Sequence, residues 1–202
     1  GGKFNATLFL MARLGEYESG DIVYIRDGVE RRGYYVSALE QALNYLKTDT
    51  PSDSTILAWW DYGNMIIGYG EREAIAINPS EKLLVGVTNT SAAIKTDPEE
   101  KLEDIAKALV ATDPNDTLAI MKKYGSEFIL VPTGIFGDEG KAQWIFFAAG
   151  VPMDDMDDYW EDGRIVGKGI DTVLDKMLNK KEVPGFTLVF SDKDTRIYQV
   201  VS

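Results

Sequence analysis

The stretch Thr55-Ile56-Leu57-Ala58-Trp59-Trp60-Asp61-Tyr62-Gly63 decides how this chain is read. Residues 55–59 form a short β-branched and apolar run, the pattern of a buried strand that delivers the tryptophans at its carboxyl end. Gly63 then allows a sharp exit. Two adjacent indoles followed by a carboxylate are rare here, since the whole chain holds only four Trp. Large apolar faces beside an ionised acceptor make a small pocket that takes a hydroxyl and excludes water. The same residues also fit a plain strand end, with one indole in the core, the other over a loop, and Asp61 capping the turn.

Working outward, residues 21–26 read as a strand and Ser37 opens a helix. Leu39, Ala42, Leu43 and Leu46 recur at helical spacing, and Glu40 follows Ser37 by three as a capping box. Thr50-Pro51 ends that helix. Residues 65–69 read as a helical turn, and 74–77 and 84–87 as further strands. Asp97-Pro98-Glu99 starts a helix through Val110, and Asp113-Pro114 caps another through Tyr124. Residues 127–131 read as a strand, 138–149 and 171–180 as helices, and 187–190 with 196–200 as a closing β-hairpin. Strands alternating with helices predict a mixed α/β layered fold: a mostly parallel central sheet, flanking helices and a C-terminal β-hairpin. Ligands in such sheets gather at the carboxyl ends of strands, where Trp59-Trp60-Asp61 falls.

Composition removes most competing chemistries. The 202 residues fit one domain, read here as spanning 1–202, with Gly1-Gly2 as an expression scar. A net charge of −12 argues against nucleic acid. The chain has no His and no Cys, which excludes Ser-His-Asp and Cys-His catalysis and all disulfides. No run of about 18 apolar residues occurs to span a membrane, and no leader pattern is read.

A second segment supplies a possible partner wall. Asp138, Lys141 and Ile145 stand at i, i+3 and i+7, on one face of their helix. Gly137 before and Gly140 within allow close backbone approach or a bent first turn. Taken alone, this is also what a surface ion pair over a core isoleucine looks like.

Taken together, the two segments resemble a known family. The run Trp59-Trp60-Asp61-Tyr62-Gly63 resembles the signature (WWDYG) of the catalytic subunit of oligosaccharyltransferase, the membrane enzyme of asparagine-linked glycosylation. The Asp138-x-x-Lys141-x-x-x-Ile145 spacing resembles that family's second, DK motif. The segments 118–124 with 128–131, Asp158-Tyr159-Trp160 and Arg196-Ile197-Tyr198 occupy the expected places around them. The resemblance runs from about Ser37 to Ser202, and the brevity of the chain is similar to the short archaeal forms. Asn64 departs from the pattern, because an aromatic residue usually follows the five-residue motif and has been placed near the donor.

The resemblance implies the soluble carboxyl-terminal, extracytoplasmic domain of a multi-pass membrane glycosyltransferase, probed here without its transmembrane catalytic region. Such an enzyme moves an oligosaccharide from a dolichyl-phosphate-type lipid carrier to Asn in Asn-x-Ser/Thr sequons. The implied role of this part is to bind the sequon Ser or Thr. Asp61 would accept a hydrogen bond from the hydroxyl, the indole N–H groups of Trp59 and Trp60 would donate to its oxygen, and Ile145 would touch the threonine methyl. Tyr62, Gly63, Asp138 and Lys141 would support that pocket. No catalytic residue and no metal ligand is expected in this chain. The Mn2+ or Mg2+ of the full-length enzyme would bind in the transmembrane part, and the fragment alone would transfer nothing. Implied partners are the acceptor polypeptide, the lipid-linked donor and the transmembrane domain, with no nucleic acid and a monomeric state. The alternative is an extracytoplasmic carbohydrate- or peptide-binding module with no enzymatic parent.

Two further signals are weaker. Residues 154–163 are acidic enough to invite a calcium loop, but Trp160 occupies the third ligand position, so a solvated acidic loop is expected. Asn5-Ala6-Thr7, Asn89-Thr90-Ser91 and Asn115-Asp116-Thr117 are themselves sequons.

Overall fold

A computed structural model describes residues 5–88 and 95–201. Three antiparallel strands come first: β1 (Asn5–Leu14), β2 (Tyr17–Arg26) and β3 (Val29–Val36), in that order across the sheet. The β2–β3 hairpin turns on Asp27 and Gly28, whose φ angles of 51° and 75° are those a two-residue turn needs to match strand twist. Along β2 the residues Gly20, Ile22 and Tyr24 are buried at a period of two, so one face of this sheet is core.

The chain then makes α1 (Glu40–Asp49), β4 (Thr55–Leu57), a 3-10 turn (Trp60–Tyr62), α2 (Gly63–Gly68), the short β5 (Glu73–Ala74) and α3 (Glu81–Thr88). Next come α4 (Glu99–Val110), α5 (Pro114–Lys123), β6 (Ser126–Pro132) and α6 (Asp138–Ala148). The short pair β7 (Trp160–Glu161) and β8 (Arg164–Ile165), α7 (Val173–Leu178), β9 (Phe186–Ser191) and β10 (Thr195–Val200) complete it.

The central sheet runs β5-β4-β6-β10-β9. It is parallel at β5-β4-β6 and antiparallel through β6-β10-β9, the mixed sheet with a closing hairpin that the alternation predicts. In β6 every side chain from Phe128 to Val131 is buried, as an interior strand covered on both faces requires. Helix α4 buries Leu102, Ile105, Ala106 and Leu109 and packs on α5, α6 and α7. Asp113 caps α5 by accepting from the Asn115 N–H, with Pro114 in its first turn.

Several local expectations are corrected. Residues 84–87 lie in helix α3, not a strand: an apolar run that short carries no period to tell the two apart. The strand expected at 74–77 shrinks to Glu73–Ala74. Ser37 and Glu40 make no capping box. The Ser37 hydroxyl accepts from the Glu18 N–H at 2.8 Å and Glu40 accepts from the Tyr35 hydroxyl at 3.0 Å, so both serve the first sheet. The last helix is shorter than 171–180, starting after Thr172, whose hydroxyl accepts from the Asp175 N–H.

Gly63 has a different reason from the one expected. Its φ of −59° is ordinary helix, so the exit needs no conformational freedom. A Cβ there would fall 2.1 Å from the Ala76 carbonyl oxygen. Gly63→Ala is therefore expected to destabilise the chain by about 1–3 kcal/mol through overpacking. Gly140→Ala, which meets open space, is expected to be neutral or stabilising by about 0.5–1 kcal/mol. Denaturant titration of the two variants against the parent checks the pair.

Candidate functional site

The site begins where β4 ends. Trp59 leaves the strand with 2% of its surface exposed, deep in the core, and the 3-10 turn then brings Trp60 and Asp61 to the surface. Helix α6 faces this turn and supplies Lys141. The Lys141 ammonium lies 2.8 Å from Asp61 Oδ2, donates to the Tyr62 hydroxyl oxygen at 3.0 Å, and sits 4.4 Å from the centre of the Tyr62 ring. The Tyr62 hydroxyl donates in turn to the Phe136 carbonyl at 2.8 Å. One continuous network thus fixes the Asp61 carboxylate, which stays about one-fifth exposed.

This arrangement decides between the two readings of the second segment. Lys141 pairs with Asp61, 80 residues away, and not with Asp138 one turn back. Asp138 is fully buried, and neither of its carboxylate oxygens has a hydrogen-bond partner. The Tyr62 hydroxyl donates to the Phe136 carbonyl and lies beside the Asp138 carboxyl. Burial pushes the Asp138 carboxyl up to about 7; the Lys141 charge and the Tyr62 hydroxyl pull it down, and the Asp61 charge adds to the rise. Burial, then Asp138 and Asp61, hold the Tyr62 phenol well above its ordinary value, so it stays protonated. Gly137 permits the tight turn from β6 into α6, since a Cβ there would lie 2.5 Å from the Thr133 backbone.

Asp61 opens on a cleft of about 640 Å3. Trp60, Asp61 and Lys141 line one side, and Arg32, Gly33 and Tyr34 of β3 line another. The β3 residues were not legible as site residues. Burial and then the Asp61 charge raise the Tyr34 phenol, as expected for a ring facing that carboxylate. Trp59 and Ile145 line no part of the cleft; they are 2% and 0% exposed, in the core.

Asn64, the departure from the family pattern, has a structural role here. It accepts from the buried Tyr24 hydroxyl at 2.7 Å and donates to the Ile77 carbonyl at 3.3 Å. A Cβ on Gly33 would fall 2.3 Å from the Asn64 Cβ, so β3 passes directly over this position. A small amide fits beneath the first sheet where a larger ring would collide.

Among the described residues no group of three or more acidic side chains is placed to hold a metal ion. No described helix is long and apolar enough to cross a membrane. Of the chain's own sequons, Asn89-Thr90-Ser91 and the Asn5 side chain lie outside the described residues. Thr117 is buried and donates to the Ala108 carbonyl at 2.7 Å, so the folded chain does not present the Asn115 sequon hydroxyl.

Fold and site together define a class: a mixed α/β domain with a carboxylate-and-indole cleft at the end of its central parallel strand. Its fold is that of the C-terminal globular domain of archaeal oligosaccharyltransferase. Two such domains from Archaeoglobus fulgidus superpose with TM-scores of 0.57 and 0.51. Each match covers 82% of this chain, and 97% and 96% of the respective domain, at 18% and 23% identity. In sequence, the chain is 26% identical over 163 residues to the A. fulgidus dolichyl-phosphooligosaccharide-protein glycotransferase 1, covering 78% of this chain and 24% of that protein. It is 36% identical over 62 residues to the rice (Oryza sativa subsp. japonica) dolichyl-diphosphooligosaccharide–protein glycosyltransferase subunit STT3B, 31% of this chain and 9% of that protein. The chain therefore spans less than a quarter of the length of these curated relatives. No family model matches it.

Proposed function

We propose that this chain is the acceptor-recognition domain of an oligosaccharyltransferase and that its cleft binds the Ser or Thr of an Asn-x-Ser/Thr sequon. The observation that carries this reading is the Asp61 carboxylate, held by Lys141 at 2.8 Å yet open to the cleft beside Trp60. A carboxylate fixed in this way accepts a hydrogen bond from a hydroxyl without having to reorganise. Trp60 supplies an indole wall and an N–H donor. Trp59 and Ile145 are buried and outside the cleft lining, so neither touches an occupant of the cleft as it stands.

The rest of the reading follows from the relatives. The full-length enzyme would carry its membrane spans, its lipid-linked donor site and any Mn2+ or Mg2+ elsewhere, with this domain on the extracytoplasmic face. This chain contributes no group that attacks or protonates a glycosidic bond, and it is expected to be inactive alone and monomeric. The competing reading, a binding module with no enzymatic parent, predicts no link to glycan transfer.

The test is a transfer assay with the full-length enzyme and peptides that differ only at the third sequon position. Replacing Thr with the isosteric Val leaves the site's buried polar groups unpaired, so transfer is expected to fall by about 100-fold or more. Equal transfer to both peptides contradicts the reading.

A further inference from the structure

The cleft beside Asp61 is much larger than the side chain the proposed function puts there. It holds about 640 Å3, whereas one water takes roughly 30 Å3 of liquid and a threonine side chain only a few times that. Apart from Asp61, Lys141, Arg32 and the amides of Asn64 and Asn78, the lining is mainly apolar: Tyr34 from β3, Ile77, Pro79, Leu84, Ile135 and Phe136. Ile135 stands 69% exposed on the short turn Gly134–Phe136, at the mouth.

Two of these walls are tied down by Tyr62 of the motif and by Asn64, which follows it. Asn64 bonds the Tyr24 hydroxyl on one side and the Ile77 carbonyl on the other, while Tyr62 bonds the Phe136 carbonyl. The apolar end is thus pre-formed, which removes much of the ordering cost of filling it. The cationic groups of the lining are already engaged: Arg32 with Asp21 at 3.2 Å, and Lys141 with Asp61. An acidic occupant would have to compete for them against a chain of net charge −12.

We propose that the apolar end of this cleft is a subsite for a hydrophobic side chain of the acceptor, carried by a residue adjoining its Ser or Thr. The inference rests on the hydroxyl reading of Asp61. The occupant follows from continuity. The cleft is single, and a polypeptide whose hydroxyl meets Asp61 has its neighbouring Cα only about 3.8 Å further on. The first sheet, through Tyr34, then takes part in choosing which sequons are used.

The experiment titrates the 202-residue chain with labelled Asn-Ala-Thr-Ala peptides. Leu, Ala or Asp replaces in turn the residue before and the residue after the threonine. Leu at one of the two positions is expected to bind about tenfold tighter than Asp. Ile135→Asn, at an exposed position that folding tolerates, is expected to erase that preference. Equal affinity for Leu and Asp at both positions overturns the subsite, as does a preference that survives Ile135→Asn. A Thr-to-Val peptide separates the two ideas: if it binds as well as the threonine peptide, the hydroxyl reading fails whatever the flanking residue does. Absence of binding by every peptide overturns both.

Discussion

Asp61→Ala is expected to lower glycan transfer by the full-length enzyme by about 100- to 1000-fold while leaving binding of the lipid-linked donor unchanged. The magnitude comes from what the substitution leaves behind. The acceptor hydroxyl loses its proton acceptor in a partly desolvated cleft, and each such orphaned group costs about 1–3 kcal/mol. Lys141 also loses its counter-ion and keeps only the Tyr62 hydroxyl. Because the Asp61–Lys141 pair is partly exposed, its loss costs the fold little, on the order of 1 kcal/mol. The variant is therefore expected to melt near the parent temperature, which separates a lost reader from a lost fold. Parallel measurements of transfer, donor binding and thermal unfolding check all three points. Full activity in a folded variant rules Asp61 out of the site.

The second large effect belongs to Asp138 and is one of stability. Its carboxyl is pushed up to about 7 when folded, against an ordinary value of 3.8, because burial penalises the charged form. Between those values the folded chain keeps a proton that the unfolded chain has released. Stability contributed by this group is therefore present at acid pH and lost as the pH rises from about 4 through 7, opposite to a salt-bridged Asp. The loss is on the order of 2–4 kcal/mol. Asp138→Asn removes the ionisation, so the variant is expected to gain on the parent as the pH rises from about 4 through 7, with the gap constant above that. Thermal unfolding of both proteins from pH 5 to pH 9 checks it, and curves that run parallel at every pH contradict the assignment. A carboxylate kept buried and unpartnered at such a cost is characteristic of functional sites, where local stability gives way to the electrostatics of the pocket. Here the negative site beside Tyr62 helps hold that phenol protonated, so that it can donate to Phe136.

The parts of the fold that were legible carried a period or a cap. Helix α4, α5 with Asp113-Pro114 at its head, and the apolar strand β6 stand where their patterns place them. The first sheet was mostly missed. In β1 the residues Phe9, Leu10 and Met11 are all exposed, and a bulge between Leu10 and Ala12 breaks the alternation, so neither face can be read from sequence. In β3 the charged run Glu30-Arg31-Arg32 hides the strand, although Asp27-Gly28 carried a hairpin signal that went unread.

Within the site, Asp61, Tyr62, Asp138 and Lys141 were legible because their motifs bring them together. What spacing could not show was their pairing. Helical geometry put Asp138 and Lys141 one turn apart, and only the packing of α6 against the Trp60–Tyr62 turn hands Lys141 to Asp61. The third wall, Arg32 to Tyr34, was invisible because nothing local in a strand says which cleft its residues will line. Asn64, read first as a defect in the motif, is the residue that accommodates that wall.

The central claim, that Asp61 reads the acceptor hydroxyl, is tested most directly by a thermodynamic cycle on the 202-residue chain. Peptides bearing Asn-Ala-Thr and Asn-Ala-Val are titrated against the parent and against Asp61→Ala. The account predicts that the parent favours threonine by about 1–3 kcal/mol and that the variant does not distinguish the two, giving a coupling energy of the same size. Strictly additive effects, with threonine still preferred after Asp61 is removed, would place the hydroxyl elsewhere and contradict it.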